Sequence, residues 1–338
     1  MSVGVVVVAY NARDIILDCV ESLLASHDAD VRIVVVNNYS TDDTSQVLHA
    51  WAKDPKVWAA TAKPSVFESV AHGPITLTTS VPVAGGGEVA LVETSENLGF
   101  AGGVNVGLRL LRDDPEINNF WVLNPDCVAE NATAAKLLAY GAKAGKFGVI
   151  GGRIFYKEPA LMIQSDGGRI NFSTGICSPF NLSKVGRDVP GPQEDQLDYI
   201  AGAHMFVSRD FLDIAGLMPE EYFLFYEEMD WCCRRGDLPL LFCTDAAVHH
   251  DGGHTIGSAT MANGPSALAT YFTGRSRMMF IRRYKPVAVP LTFIYSFAKA
   301  GKYMLKGQFG SAFGLLRGIC GFRPSKAVRA RLRLSQGK

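Results

Sequence analysis

Val3-Gly4-Val5-Val6-Val7-Val8-Ala9-Tyr10-Asn11 opens the chain and decides its reading. A β-branched run without polar alternation is the pattern of a strand buried on both faces, as in parallel sheets covered by helices. Asn11-Ala12-Arg13-Asp14 then opens a helix with Ile15, Ile16, Cys19, Val20, Leu23 and Leu24 at helical spacing. Residues 31–36 repeat the apolar run. Residues 40–43 supply turn and N-cap side chains for a helix to about position 53.

The same rhythm continues outward. Residues 89–93, 120–123 and 147–150 read as strands, and 99–112 and 132–144 as helices, the first preceded by a loop. Residues 55–88 interrupt it with Pro55, Pro64, Pro74, Pro82 and Gly85-Gly86-Gly87, the signature of an inserted loop or small hairpin. Farther on, 153–156, 168–172 and 200–208 read as short strands and 210–215 as a short helix. Residues 227–234 read as one or two helical turns, and 240–243 and 247–250 as strands or strand ends. Strands alternating with helices predict a mostly parallel α/β sheet with helices on both faces, right-handed crossovers and ligands at the strands' carboxyl ends. The residues at those ends are Ala9-Tyr10-Asn11, Asn37-Asn38, Asn97 and Asn124-Pro125-Asp126.

The chain has 338 residues, 48% hydrophobic and 20% charged, enough for a sizeable core. Its net charge of zero conceals a division: residues 252–338 hold 15 Lys and Arg and no acid, leaving a net of −15 in residues 1–251. That asymmetry predicts an anionic partner for the C-terminal part, with neutralisation of the acidic part as the alternative. Seven scattered cysteines without a C-x-x-C pair disfavour zinc or a disulfide framework and fit a reducing cytoplasm. Residues 1–9 lack a basic n-region and a cleavage site, so no signal peptide is expected, and no apolar run reaches spanning length. Residues 291–318 have a helical pattern with Lys299, Lys302 and Lys306 on one face. This basic amphipathic segment suits a membrane interface or, equally, packing on the core.

Five ordered segments carry a family resemblance: V-V-V-A-Y-N at 6–11, N-N-Y-S-T-D-D-T at 37–44, N-L-G-F-A-G-G-V-N-V-G at 97–107, L-N-P-D at 123–126 and F-L-F-Y-E-E-M-D-W-C-C-R at 223–234. H-D-G-G at 250–253 and T-Y-F-T-G-R-S-R at 270–277 add weaker support. Over roughly residues 3–285 the chain resembles bacterial family 2 glycosyltransferases of the rhamnosyltransferase-like branch, whose fold is GT-A, a Rossmann-like α/β architecture. The resemblance implies residues 1–150 as a nucleotide-sugar-binding half, 151–285 as an acceptor-binding and catalytic half, and 286–338 as a basic helical tail.

It also implies roles. Glu228 is the expected catalytic base, with Glu227 beside it and Asp230 orienting the loop or acceptor; Glu at 228 departs from the family's usual Asp. Two adjacent carboxylates raise one another's pKa, which favours a base near neutral pH. Asp126 is the expected ligand of a divalent metal, Mg²⁺ or Mn²⁺, although Asn124 replaces the first acid of the family's pair. His250 is the second metal candidate, with His249 an open alternative. The donor-binding set is Ala9, Tyr10, Asn11, Asn37, Asn38, Asn97, Gly99, Phe100, Gly102, Asn105, Asn124, Asp126, Gly202, Ala203, His204 and Arg275. Asn37 stands where an Asp commonly meets the base, which leaves the nucleotide open, and Ser276 replaces the usual Asn after Arg275.

The implied activity is inverting transfer of a sugar, rhamnose first, from a dTDP- or UDP-sugar to a lipid-linked saccharide or oligosaccharide in cell-wall or polysaccharide assembly. The expected place is the cytoplasm, peripheral on the inner face of the membrane. Galactofuranose or another hexose is the alternative cargo, and a non-catalytic sugar-nucleotide or glycan binder the alternative class. No nucleic-acid partner is expected, since no motif of interleaved aromatic and basic residues is present.

Overall fold

The opening run forms β1 (Ser2–Ala9), buried from Val3 onward. Its side chains divide with the strand's period of two. Val6 and Val8 enter one hydrophobic core, and Val3, Val5 and Val7 enter the other, on the opposite face of the sheet. The computed structural model describes residues 2–52, 75–82, 88–252 and 264–332.

In chain order the elements are β1, α1 (Ile16–Leu24), β2 (Asp30–Asn37), α2 (Thr44–Ala52), β3 (Ile75–Pro82), β4 (Glu88–Thr94), α3 (Gly99–Arg112), β5 (Asn119–Leu123), β6 (Cys127–Ala129) and α4 (Thr133–Ala144). There follow β7 (Val149–Tyr156), β8 (Ile163–Ser165), β9 (Gly168–Asn171), β10 (Ile176–Pro179), β11 (His204–Ser208), α5 (Arg209–Ala215), α6 (Glu227–Cys233) and β12 (Leu240–His250). A helical layer ends the described chain: α7 (Ala267–Tyr284), α8 (Val289–Leu305), α9 (Phe309–Ile319) and α10 (Lys326–Leu332). Among the described residues no helix is long and apolar enough to cross a membrane.

The central sheet runs β3-β4-β2-β1-β5-β11-β7-β12-β6, with β8 on β7. Strands β4, β2, β1 and β5 are parallel, as the sequence predicts. The other half is mixed: β11 lies antiparallel between β5 and β7, while β7 and β12 are parallel. Strands β9 and β10 form a separate hairpin.

Several elements differ in extent from the pattern reading, each for a physical reason. Residues 147–150 and 153–156 belong to one strand, β7, running through Gly151-Gly152. The glycines look like a break but serve a close approach: a Cβ on Gly152 would lie 2.2 Å from the Ala246 carbonyl oxygen. Residues 240–243 and 247–250 likewise join as β12, with an irregularity between Cys243 and Ala247. In the 55–88 interruption, β3 pairs antiparallel with β4; residues 53–74 and 83–87 lie outside the described residues. The segment 291–318 is two helices, because Gly307 takes a left-handed φ of 70° that ends α8.

Helix α3 carries the tightest contact with the sheet. Gly103 and Gly107, one turn apart, face β1: Cβ atoms there would meet Val8 Cγ1 at 2.6 Å and Val6 Cγ1 at 2.5 Å. The backbone of α3 therefore rests on the valine strand and fixes where the helix starts, at the strand ends. Gly107→Ala should destabilise the protein by about 1–3 kcal/mol, the cost of overpacking a rigid core. Urea unfolding would measure this; an unchanged midpoint would show that the strand can yield.

Candidate active site

The carboxyl ends of β1, β2 and β5 open onto a cleft of about 350 Å³, completed by the 201–203 and 223–228 segments, β8, the end of β12 and the end of α10. Of the expected site residues, Tyr10, Asn38, Asn97, Gly99, Phe100, Asn124, Asp126, Gly202, Ala203, Glu227, Glu228 and His250 line it.

One corner joins β5 to β12. Asp126 Oδ1 lies 3.0 Å from His250 Nε2, and Asn124 Nδ2 lies 3.3 Å from the same nitrogen. Side chains alternate along β12, so His249 points the other way, onto Glu130 (3.2 Å) and the ring of Phe155. His250, not His249, therefore stands beside Asp126. His250 Nδ1 lies 2.5 Å from Gln164 Oε1. Nδ1–H donating to that carbonyl fixes the ring with Nε2 toward Asp126. Protonated, Nε2 donates to the carboxylate; without that proton its lone pair would be available to a cation shared with Asp126, Gln164 then being the outer-shell partner of a ligating imidazole. Burial pushes the Asp126 carboxyl up, but the hydrogen bond and charge of His250 outweigh it and hold the group below its usual range. Cys127 lies within the same cluster. Burial and the Asp126 charge raise its thiol well above the usual value, and Sγ donates to the Ala203 carbonyl at 3.5 Å. The donor set that fits a hard divalent cation is thus Asp126 and His250, without Cys127.

Glu227 and Glu228 begin α6 on another wall. Glu227 is buried and Glu228 half-buried, and neither Oε2 has a hydrogen-bond partner among the described residues. Burial pushes Glu228 up to about 7, with backbone amides at 228, 202, 226 and 229 pulling it partly back. Burial and the Glu228 charge raise Glu227 well above the usual range. The loop before them is strained: Phe223, Phe225 and Tyr226 all have φ between 64° and 72°, a region in which non-glycine residues cost ~1–3 kcal/mol each. It is pinned from two sides. Ser276 Oγ on α7 donates to the Leu224 carbonyl at 2.9 Å, and the Phe100 amide at the start of α3 donates to the Phe223 carbonyl at 2.9 Å. Gly99 is required there: it has φ 75°, and a Cβ would lie 2.4 Å from the Phe223 oxygen.

The third region is formed by Tyr10, Asn38, Asn97 and the last turn of α10. Asn38 accepts from the Leu98 amide at 3.0 Å and donates to the Gly99 carbonyl at 2.9 Å, clamping the 97–99 turn. Asn97 donates to the Leu332 carbonyl at 3.2 Å, and Tyr10 Oη donates to the Arg331 carbonyl at 2.7 Å. The C-terminal helix thus returns to the carboxyl end of β1, and Leu332 enters the lining.

The remaining expected residues stand behind the wall. Asp230 is fully buried and bonded to Tyr222 Oη (2.6 Å), Arg234 (2.5 Å) and Arg283 (2.6 Å), so it braces the loop and does not face the cleft. Arg275 donates to the backbone carbonyls of Glu221 and Tyr222, at 3.2 and 3.4 Å. Asn105 exchanges hydrogen bonds with the Met218 backbone, and Gly102 packs under Leu98. Ala9 is buried and its carbonyl accepts from the Asn38 amide, while Asn11 accepts from the Thr41 amide at 2.7 Å. Asn37 donates to Glu93 at 2.8 Å, so a carboxylate next to position 37 is supplied from β4. His204 is buried, accepts from Trp121 Nε1 at 2.8 Å, and is pushed down to about 4 by burial, so it stays neutral. Gly253 of the H-D-G-G segment lies outside the described residues. Gln164, Glu93 and Leu332 were missed by sequence reasoning. None lies in a recognisable motif, and Leu332 reaches Asn97 across 235 residues.

The fold is of the GT-A type. Residues 4–59 match the family model for glycosyl transferase family 2. The low-salt glycan biosynthesis hexosyltransferase Agl10 of Haloferax volcanii is 24% identical over 151 residues, covering 44% of this chain and 46% of that protein, so the match spans just under half of the relative's length. Among solved structures, S. aureus TarS 1–349 in complex with UDP-GlcNAc aligns over 98% of this chain and 84% of its own, at 16% identity and a TM-score of 0.52. The mannosyltransferase PcManGT of Pyrobaculum calidifontis, in complex with GDP-Man and Mn²⁺, aligns over 98% of this chain and 78% of its own, at 14% identity and a TM-score of 0.49.

The buried acids set a pH-dependent penalty on the fold. Below the unfolded-state pKa of about 4.3 a Glu is protonated in both states and contributes nothing. Above it the unfolded chain ionises first, so stability falls with rising pH until the raised folded-state value is passed. Glu227→Gln should therefore raise Tm at pH 8, by ~2 °C or more, and leave it unchanged at pH 4. Thermal denaturation at both values tests this; a lower Tm at pH 8 would show the carboxylate to be stabilising.

Proposed function

We propose that the protein transfers a hexose from a nucleoside diphosphate sugar to an acceptor hydroxyl with inversion at the anomeric carbon. One observation carries the reading: Glu228, raised to about 7, shares a single cleft with the Asp126–His250 pair. A proton acceptor poised at neutrality and a cation-binding corner are the two things the chemistry requires.

Asp126 and His250 are the residues that would hold a divalent ion, with Gln164 fixing the imidazole. Such an ion, bound there, supplies the positive charge that a departing diphosphate needs. Tyr10, Asn38 and Asn97 form the nucleoside end, and the 97–100 turn brings backbone close to the donor. Glu228 accepts the acceptor's hydroxyl proton as that oxygen bonds to the anomeric carbon. The bond to the diphosphate breaks and its electron pair stays on the phosphate oxygen. Glu227 stands beside it, its own carboxyl raised by burial and by the Glu228 charge, and Asp230 positions the loop.

Residues 1–150 then act as the donor half and 151–285 as the catalytic and acceptor half, with the basic segment 286–338 meeting a membrane surface. The donor is a dTDP- or UDP-sugar with rhamnose favoured, and the acceptor a lipid-linked saccharide in cell-wall or polysaccharide assembly. A hexose as cargo accords with the name of the Haloferax relative.

Glu228→Gln should lower kcat by about 10²–10⁴ while retaining donor binding, and remove an acid limb of kcat/KM near pH 7. A surviving limb in steady-state kinetics would disqualify Glu228 as the base. Gln164→Ala should weaken Mn²⁺ affinity by about 10–100-fold by calorimetry with UDP present, through loss of the partner that aims His250. Unaltered affinity would mean that the ion does not use His250.

A further inference from the structure

A second cavity, of about 260 Å³, lies between α7, α8 and α9, and Phe225 is part of both its wall and that of the catalytic cleft. Arg277, Lys299, Thr273 and Tyr303 line it. Arg277 is 3% exposed, and its Nε has no hydrogen-bond partner among the described residues. Its described side-chain contacts are a long hydrogen bond, 3.4 Å from Nη1 to Ser296 Oγ, an interaction with the Tyr226 hydroxyl and a contact over the Tyr295 ring at 5.7 Å, none of them with a carboxylate. Lys299 faces the same space, with Nζ 6.0 Å from the Tyr303 ring centroid. No described carboxylate forms an ion pair with either cation, and residues 252–338 contain no acid. Burial and then the Arg277 charge lower the Lys299 pKa, as expected for a cation without a counterion.

A buried guanidinium without an anion is expensive, and such groups are paired in folded proteins. We propose that this cavity binds a phosphate or diphosphate group, held by Arg277 and Lys299. The same helices indicate its source. On α8 and α9, Leu291, Ile294, Phe297, Phe309 and Phe313 are exposed apolar side chains. A cationic cavity opening among helices with apolar outer faces matches the phosphate linkage of a lipid-borne acceptor, with the phosphate in the cavity and the hydrocarbon outside. Position beside Phe225 then sets the saccharide toward Glu228. This assignment of the acceptor rests on the transferase reading, whereas the anion site itself does not.

Two measurements separate these levels. Inorganic pyrophosphate in EDTA should raise the Tm of the wild-type protein and of Asp126→Ala, but not of Lys299→Met, a half-buried position that keeps the fold testable if Arg277→Met does not fold. An equal shift in Lys299→Met would overturn the site. Mn²⁺-dependent UDP binding, followed in parallel, reports the catalytic cleft and should be unchanged in Lys299→Met. In transfer assays Lys299→Met should raise KM about tenfold for a phosphate-linked acceptor and leave it unchanged for the same saccharide without phosphate. Equal effects on both acceptors would overturn the acceptor assignment.

Discussion

Two adjacent carboxylates without a countercharge, Glu227 buried and Glu228 half-buried, are the constraint around which this molecule is arranged. Left to themselves Glu227 and Glu228 would turn to water, and the structure prevents it by strain and by anchoring. Three aromatic residues with positive φ carry the chain into α6, with Ser276 holding the Leu224 carbonyl and the Phe100 amide the Phe223 carbonyl. Asp230, with Arg234 and Arg283, forms a neutralised cluster behind them, leaving the pair in front as the uncompensated charge. Stability is given up at this point, which is where a proton acceptor near neutrality is wanted.

The opposite corner follows from sheet geometry. Strand β12 pairs with β6 and β7, so successive histidines leave opposite faces and only His250 reaches Asp126. The glycines of α3 let that helix sit down on β1, which brings the 97–100 turn to the level of the strand ends. The Glu227–Glu228 pair, the Asp126–His250 corner and the Tyr10–Asn38–Asn97 end thus belong to one cleft, because helix, sheet and loop stop at a common edge.

Much of this was legible in the sequence. The valine run specified a doubly covered strand because its burial leaves no room for polar alternation, and the strand-end asparagines and acids marked the cleft. What escaped had a common cause: the residue's partner lies far along the chain. Gly151-Gly152 looked like a strand break because the close approach of residues 204 and 246 cannot be seen locally. Arg275 looked like a ligand contact because exposure and burial of a charged residue read alike in sequence, and for the same reason Asp230 was readable as orienting either the loop or the acceptor. Gln164, Glu93 and Leu332 carry no local pattern, and the basic face of 291–318 gave no hint that Lys299 turns inward toward Arg277 while its neighbours remain outside.

The central claim is that Glu228 and a cation held by Asp126 and His250 lie on either side of a sugar's anomeric carbon. A crystal structure with Mn²⁺ and a non-transferable 2-fluoro nucleotide sugar measures this most directly. The account predicts the ion on Asp126 and His250 Nε2, with the Glu228 carboxylate on the face of the sugar opposite the diphosphate. An ion bound elsewhere, or Glu228 on the diphosphate side of the ring, would contradict it.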